Sequence, residues 1–260
     1  MSVSTAKAVS LRETAGLWVG NLIAPAIAWI SHARRARMFH PVGRTYRAKI
    51  EVEPSLEGPW RELAERLRGP ALARFSGALW RGGFEHCEVL GIALRLRQTE
   101  SVSPDRAPDD QDLLFATIRS PFTMWLAPFT TNAHDYLGNH YWAVSPFDVG
   151  HSRHVKFRLS PVARDSRQAD ARATHLPRDR ALFDAVNRDS GAFRLQSRRT
   201  FELRWRTLAT VSLLTAVELD QEALRFSPFQ NARGIVPSGF VHALRRAAYA
   251  ASQRARPSHR

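Results

Sequence analysis

The sequence contains very little cysteine and very little lysine. Cys87 is the only cysteine among 260 residues, so no disulfide can form within the chain and an oxidising compartment is not implied. Lysine occurs only as Lys7, Lys49 and Lys156, so arginine carries almost all the positive charge behind the net charge of +14. Because the arginines are scattered over every segment and form no basic tail, we expect no nucleic-acid partner.

Familiar catalytic motifs are also missing. The sequence has no glycine-rich phosphate loop, no nucleophile elbow and no cysteine and histidine spacing typical of zinc. The sequence has two histidine pairs, His134 with His140 and His151 with His154. Neither pair has a third ligand at a spacing typical of a metal site, so we interpret these histidines as surface or loop residues. A hydrophobic content of 44% with 24% charged residues indicates a globular chain that can bury a sizeable core.

An apolar run over residues 17–30 precedes the basic residues Arg34 and Arg35. The run is shorter than a membrane-spanning helix, and an asparagine and a proline interrupt it. Its strong charge follows the apolar residues, whereas a signal peptide carries charge ahead of them. Three interpretations stay open: an arm that packs on the domain or in a homodimer, association with a membrane surface, and a hydrophobic substrate channel. We expect a cytoplasmic location, with peripheral membrane attachment as the alternative.

Alternating apolar and polar side chains predict a set of β-strands. The predicted strands cover 41–52, 72–76, 89–97, 113–118, 141–144, 154–159, 193–196, 201–205 and 208–214. A helix is predicted over 60–67, a polar surface loop over 101–112 and a charged linker over 165–179. Many strands with helices near the ends predict an α+β fold, in which an antiparallel barrel or sandwich carries helical additions.

Residues 241–256 have the alanine, leucine and arginine content of a helix, which Pro257 ends. Arg245, Tyr249 and Arg256 fall on one stripe of this helix. A tyrosine one turn from an arginine suits the binding of a metal together with an anion. The alternative is an ordinary basic amphipathic helix whose tyrosine only packs.

Two further candidate positions lie near the first strands. His40 comes just before the first strand, where an imidazole could transfer protons near neutral pH or could simply lie at a strand edge. Arg74 and Ser76 share one face of the next strand, because Phe75 between them points the other way. They could bind a carboxylate and orient an imidazole, or could form a solvent-facing pair.

In their order and spacing, these motifs resemble the catalase superfamily of haem proteins, and in particular its short members. Arg37-x-x-His40, followed by Gly43, resembles the stretch that carries the distal histidine and a propionate-binding arginine in that family. Arg74-Phe-Ser76 resembles the strand whose arginine binds a propionate and whose serine orients that histidine.

The resemblance continues to the end of the chain. Gly91-Ile-Ala-Leu-Arg95 resembles the glycine-containing strand of the family, and residues 141–150 resemble a segment of its short members. Residues 226–235 resemble the phenylalanine-serine-proline stretch before the proximal helix. Arg245-x-x-x-Tyr249 then matches the arginine and axial tyrosine of the family.

The resemblance implies an arm over residues 1–36 and a catalase-like antiparallel β-barrel domain over 37–260, with C-terminal helices packed around a pocket for b-type haem. Tyr249 would be the axial ligand of the haem iron, while His40 and Ser76 would be the catalytic pair. The residues implied in cofactor binding are Arg37, Arg74, Arg245, Tyr249 and Arg256.

The implied activity is that of a haem-dependent oxidoreductase acting on hydrogen peroxide or an organic hydroperoxide. Two departures from the family pattern bear on it: Ala116-Thr117 replaces the distal asparagine, and the bulky Phe39 directly precedes His40. We therefore expect peroxidase-type turnover. True catalase activity, and haem binding without turnover, are the alternatives.

Overall fold

The computed structural model describes residues 42–77, 88–120, 126–143, 145–162, 178–227 and 229–238. Within these ranges, ten strands form one antiparallel sheet, accompanied by three helices. The strands are β1 (Val42–Val52), β2 (Gly69–Gly77), β3 (Leu90–Leu96), β4 (Gln111–Ala116), β5 (Tyr141–Trp142), β6 (Phe147–Val149), β7 (Ser152–Pro161), β8 (Ala192–Arg199), β9 (Arg206–Val217) and β10 (Ile235–Pro237). The helices are α1 (Gly58–Glu65), α2 (Ala127–Thr130) and α3 (Arg178–Asn187).

Eight of the strands close into a barrel. The hydrogen-bonded order around it is β1, β2, β3, β4, β5, β7, β8, β9, with β9 pairing back to β1. The pairing of β7 with β8 closes the circle. The two remaining strands lie outside the circle, since β6 pairs with β7 and with β10. Closure leaves no open edge among the eight barrel strands.

Aromatic side chains fill the centre of the barrel. Phe75 on β2 has no exposed surface, and its ring meets Tyr46 and Tyr136 edge-on at centroid distances of 5.7 and 5.3 Å. It also stacks on Phe193 of β8 at 6.1 Å. Aromatic pairs in these arrangements stabilise a core beyond their buried area. The core therefore links strands on opposite sides of the barrel, and it fixes which face of β2 points inward.

Most of the predicted strands are confirmed, among them 41–52 as β1, 72–76 as β2 and 89–97 as β3. The prediction of a strand over 201–205 is wrong. These residues form the connection from β8 to β9, where the backbone N–H of Glu202 donates to the carbonyl of Arg199 at 3.1 Å. Alternation misled the prediction because the apolar side chains of this connection face solvent.

The predicted linker over 165–179 ends earlier than expected. Helix α3 begins at Arg178 and buries Leu182, Ala185 and Val186, a helical spacing that the prediction overlooked. The rest of the predicted linker, the apolar run 17–30, the domain boundary after residue 36 and the predicted helix 241–256 lie outside the described residues. In the part of the chain that is described, no helix is long and apolar enough to cross a bilayer.

Buried tyrosines in the barrel predict a loss of stability at alkaline pH. Burial, assisted by the negative charge of Asp179, raises the pKa of Tyr46 from 10.0 to about 12. The unfolded chain therefore loses this proton first, so the free energy of unfolding should be unaffected below about pH 10 and should fall as the pH rises toward 12. Tyr46→Phe should lose less stability over that interval in urea unfolding.

At pH 7 the Tyr46 phenol is protonated in the folded and the unfolded chain alike, so the same comparison there is the control for the packing change in Tyr46→Phe. If wild type and variant lose stability in parallel above pH 10, Tyr46 does not titrate as its burial implies.

Candidate functional site

Strands β1 to β4 present a row of short side chains on the outer face of the barrel. In this row Gly43 pairs with Ser76, Ser76 with Gly91, and Gly91 with Ala116. Directly paired residues carry their side chains on the same face of a sheet, and Phe75 next to Ser76 points to the core. The row therefore offers one hydroxyl group on a strip that is otherwise glycine and alanine.

Arg74 lies on the same outer face, two residues from Ser76 along β2. Its side chain and that of Ser76 are both buried, with 4% of each residue exposed. The Nε of Arg74 donates to the side-chain oxygen of Gln221 at 2.9 Å, and the amide of Gln221 donates to the hydroxyl of Thr45 at 3.2 Å. The alternative in which Arg74 and Ser76 form a solvent-facing pair is therefore wrong.

The absence of a side chain at Gly43 leaves the space that the Arg74 guanidinium occupies. A Cβ atom built on Gly43 would lie 2.5 Å from the Cζ of Arg74 and 2.7 Å from the backbone oxygen of Phe75. Any side chain at this position would have to displace the guanidinium or the backbone of β2. Close packing against β2 therefore explains why glycine stands at position 43, just after the predicted distal motif.

Ala116 is the last short side chain of the row, with its methyl group in line with Ser76, and it pairs in turn with Trp142 on β5. The next residue, Thr117, uses its hydroxyl within the barrel. That oxygen accepts from the backbone N–H of Leu90 at 3.2 Å and bonds to the hydroxyl of Thr131 at 2.8 Å. Neither residue can offer the two N–H donors of an asparagine amide.

A buried ion pair lies further along the same face. Arg95 on β3 is directly opposite Asp112 on β4, and its Nε and Nη2 donate to the two carboxylate oxygens at 2.9 and 3.1 Å. Both side chains are without exposed surface, and the carboxylate of Asp110 lies 3.7 Å from Arg95. Burial raises the pKa of the Asp112 carboxyl, while hydrogen bonds from Arg95 oppose that rise.

This ion pair holds a segment of chain that leads toward the predicted C-terminal helix. Asp112 accepts from the backbone N–H of Ser227 at 2.8 Å, and Arg95 donates to the carbonyl of Arg225. The Arg95 guanidinium also lies 4.7 Å from the ring centroid of Phe226. The Arg95–Asp112 pair therefore binds the start of the phenylalanine-serine-proline stretch to the outer face of the barrel.

Sequence reasoning missed this pair, although Arg95 ends one of the motifs of the resemblance and Asp112 ends the predicted loop 101–112. The available signal was a charge inside an otherwise apolar strand, as in Leu94-Arg95-Leu96. Such a charge is rarely buried without a partner. Which carboxylate is the partner depends on the register between β3 and β4, and no spacing along the chain gives that register.

Of the predicted site residues, the structure brings together Arg74 and Ser76. The others lie outside the described residues: Arg37, His40, Arg245, Tyr249 and Arg256. Within the described ranges, no group of three or more histidine, cysteine, aspartate or glutamate side chains could hold a metal ion. The four histidines expected at the surface are all exposed, and they are His134, His140, His151 and His154.

Comparison with known proteins gives a fold and no family. No family model matches the sequence, and no curated protein matches it. Among solved structures, the chain is similar to one described as "Structure of a bacterial catalase", with a TM-score of 0.52 and 12% sequence identity. The similarity covers 98% of this chain and 63% of that one, so this chain spans less than two thirds of its length. At this identity the likeness shows a catalase-like fold, in agreement with the closed antiparallel barrel.

The Arg95–Asp112 pair predicts a large difference between two carboxylate substitutions. Asp112→Ala removes the carboxylate that the buried Arg95 guanidinium hydrogen-bonds and leaves only the more distant Asp110, and loss of one partner from a buried pair costs about 3–5 kcal/mol. Glu100→Ala breaks the exposed pair between Arg47 and Glu100, which is 2.7 Å long, and should cost less than about 1 kcal/mol. Urea unfolding of the two variants measures both costs, and equal values would contradict a structural role for Asp112.

Proposed function

We propose that the chain is a haem-dependent oxidoreductase that activates hydrogen peroxide or an organic hydroperoxide, with peroxidase-type turnover. The observation that carries this proposal is the burial of Arg74 and Ser76 side by side on the outer face of a catalase-like barrel. In the resemblance, Arg74 would bind a propionate and Ser76 would orient the distal histidine.

The described residues fit a haem group in two respects. A guanidinium and a hydroxyl on one face suit a carboxylate such as a propionate, because both can donate hydrogen bonds to its oxygens and the guanidinium does so with fixed geometry. The row Gly43, Ser76, Gly91 and Ala116 has no side chain longer than serine, so a flat macrocycle could approach the strands closely. Bound haem would supply the iron and the redox chemistry of the reaction.

The distal side of the proposed site depends on His40 and Ser76. An imidazole titrates near neutral pH, so His40 would accept a proton from the peroxide and return it to the departing oxygen. Ser76 would act as a positioning residue, because a hydrogen bond to one ring nitrogen selects the tautomer that leaves the other nitrogen facing the substrate.

The proximal side of the proposed site depends on Tyr249. A phenol has an ordinary pKa near 10, so it must lose its proton to bind iron at neutral pH, and the positive charge of Arg245 one turn away favours that loss. Tyrosine is the iron ligand of catalase haem. Arg37 and Arg256 would share the propionates with Arg74. The hydrogen bonds that hold Arg225 and Ser227 on the barrel support this arrangement, because they anchor the chain shortly before the predicted proximal helix.

The methyl group of Ala116 favours peroxidase-type turnover over catalase activity. In the resemblance, an asparagine amide at this place positions peroxide for disproportionation, and Ala116-Thr117 supplies no amide. Reduction of a hydroperoxide with a separate electron donor depends less on that placement. True catalase activity remains one alternative, and haem binding without turnover is the other.

The first test is haem binding by the purified protein. Titration with haemin should give a Soret band in wild type, and Tyr249→Phe should shift its position or abolish it because the phenolate ligand is lost. Tyr46→Phe is the matched control, because this tyrosine lies in the barrel core and should leave the spectrum unchanged. No Soret band in wild type, or the same spectrum in wild type and Tyr249→Phe, would contradict the axial role of Tyr249.

The second test separates the reaction classes in the haem-loaded protein. Oxygen release from hydrogen peroxide measures catalase activity, and oxidation of a dye with hydrogen peroxide or an organic hydroperoxide measures peroxidase activity. We expect dye oxidation to dominate, and His40→Ala to lower both rates by about a hundredfold or more because it removes the proton transfer. Ala116→Asn should raise oxygen release relative to dye oxidation by about tenfold, less than the full value of a preorganised donor.

Each of the following outcomes would exclude one interpretation of the site or of its activity. Retained activity in His40→Ala would remove His40 from its role. A clear Soret band without either activity would favour haem binding without turnover, and dominant oxygen release in wild type would favour a true catalase.

A further inference from the structure

The connection between β8 and β9 carries two large apolar side chains in solvent. Phe201 is 97% exposed and Leu203 is 88% exposed. Glu202 between them folds back, because its carboxylate accepts the backbone N–H of Arg199 at 3.2 Å. The end of the hairpin, residues 200–204, is therefore an apolar tip, and large apolar side chains exposed together mark a binding surface.

Arginines surround this tip. Arg199, Arg204 and Arg206 are exposed, and Arg198 donates to the carbonyl of Glu202 at 3.0 Å. None of these four arginines forms a salt bridge within the ranges that the structure describes. Elsewhere in the described structure, exposed arginines such as Arg44 and Arg68 do pair with carboxylates. The hairpin thus has positive charge that no carboxylate of the described chain neutralises by direct contact.

Strand pairing brings further positive charge to the base of the hairpin. Lys156 on β7 is directly opposite Arg198 on β8, and like charges in such a pair destabilise a sheet. The guanidinium groups of Arg158 and Arg198 both lie over the ring of Trp205, at 4.4 and 4.8 Å from its centroid. Burial, and then the positive charge of Arg198, lowers the pKa of Arg158. An external anionic surface would relieve this repulsion.

The hairpin tip is held in place by its neighbours. The hydroxyl of Thr200 donates to the carbonyl of His154 at 2.7 Å, which ties the tip to β7. Arg199 and Arg206 lie over the ring of Trp60, at 5.6 and 5.3 Å from its centroid. The apolar tip therefore projects from a fixed base, so its exposure is built into the fold.

We propose that the β8–β9 hairpin docks the protein onto a membrane surface that contains anionic phospholipids. Phe201 and Leu203 would enter the interfacial layer, and the surrounding arginines would bind the lipid phosphates. An apolar tip within a basic collar matches the interface of such a membrane in both polarity and charge. A single-stranded nucleic acid fits less well, since guanidinium groups already cover Trp60 and Trp205 and Leu203 offers no ring for a base to stack on.

This proposal does not depend on haem, and it assigns membrane contact to residues other than the apolar run 17–30. The test is sedimentation of the full-length protein with two kinds of vesicle. The first contains phosphatidylcholine alone, and the second contains phosphatidylcholine and phosphatidylglycerol in equal parts. Wild type should bind the second kind preferentially, and binding should weaken as salt rises because the arginine contribution is screened.

Three variants separate the contributions of the apolar side chains and of the arginines to vesicle binding. The double variant Phe201→Ser with Leu203→Ser should lower partition onto anionic vesicles by at least about tenfold, because two large apolar side chains no longer leave water. Arg204→Gln should lower it about fivefold, the effect of one basic residue at an anionic surface. Phe129→Ser is the matched control, because Phe129 is 73% exposed on α2, away from this hairpin, and its loss should change nothing.

The altered side chains are exposed, so the variants should unfold in urea at the wild-type midpoint. If the double variant binds vesicles as wild type does, another part of the chain makes the membrane contact and the proposal is overturned. It is equally overturned if wild type binds neutral and anionic vesicles alike, or if it binds a single-stranded oligonucleotide but no vesicle.

Discussion

Closure of the eight-stranded barrel is the constraint on which the rest of the described structure depends. Once β7 pairs with β8, every barrel strand has two neighbours, and the register of each pair decides which side chains face the core. A slip of one residue in β2 would send Phe75 outward and carry Arg74 and Ser76 into the core. Such a slip would bury a guanidinium among aromatic rings, so the packing of Phe75 against Tyr46, Tyr136 and Phe193 holds the candidate site in register. The site therefore follows from the core through the simple alternation of a strand.

The outer face of β1 to β4 differs from the outer face of an ordinary barrel because it buries charge. Arg74, Arg95 and Asp112 are all nearly or fully inaccessible, and each has polar partners among the described residues. A buried ion pair contributes little net stability, yet removal of one partner is costly, so such pairs fix geometry more than they strengthen the fold. Here the geometry that they fix is the path of Arg225 to Ser227 across the barrel.

The sequence predicted local structure well wherever one face of a strand meets the core, because burial enforces alternation. It failed at residues 201–205, where Phe201 and Leu203 alternate with polar residues but have no core to face. It also predicted that Arg74 and Ser76 share a face, since that follows from position alone. Their burial, the steric need for Gly43 and the Arg95–Asp112 pair could not be predicted, because each depends on which strands are neighbours and in what register. The sequence alone shows which side chains share a face of a strand, whereas the pairing between strands decides which side chains become partners.

The arginines also illustrate the difference between position along the sequence and position in the folded sheet. Along the sequence the arginines are scattered, which argued against a nucleic-acid partner. Pairing of β7, β8 and β9 nevertheless brings Lys156, Arg158 and Arg198 together, beside the exposed arginines of the hairpin. On the outer face of β1 to β4 the chain offsets its buried cations with carboxylates and carbonyls, whereas at the hairpin it leaves like charges side by side. A protein gains no stability from unneutralised like charges, so their persistence beside an exposed phenylalanine and leucine is better explained by an anionic partner than by folding.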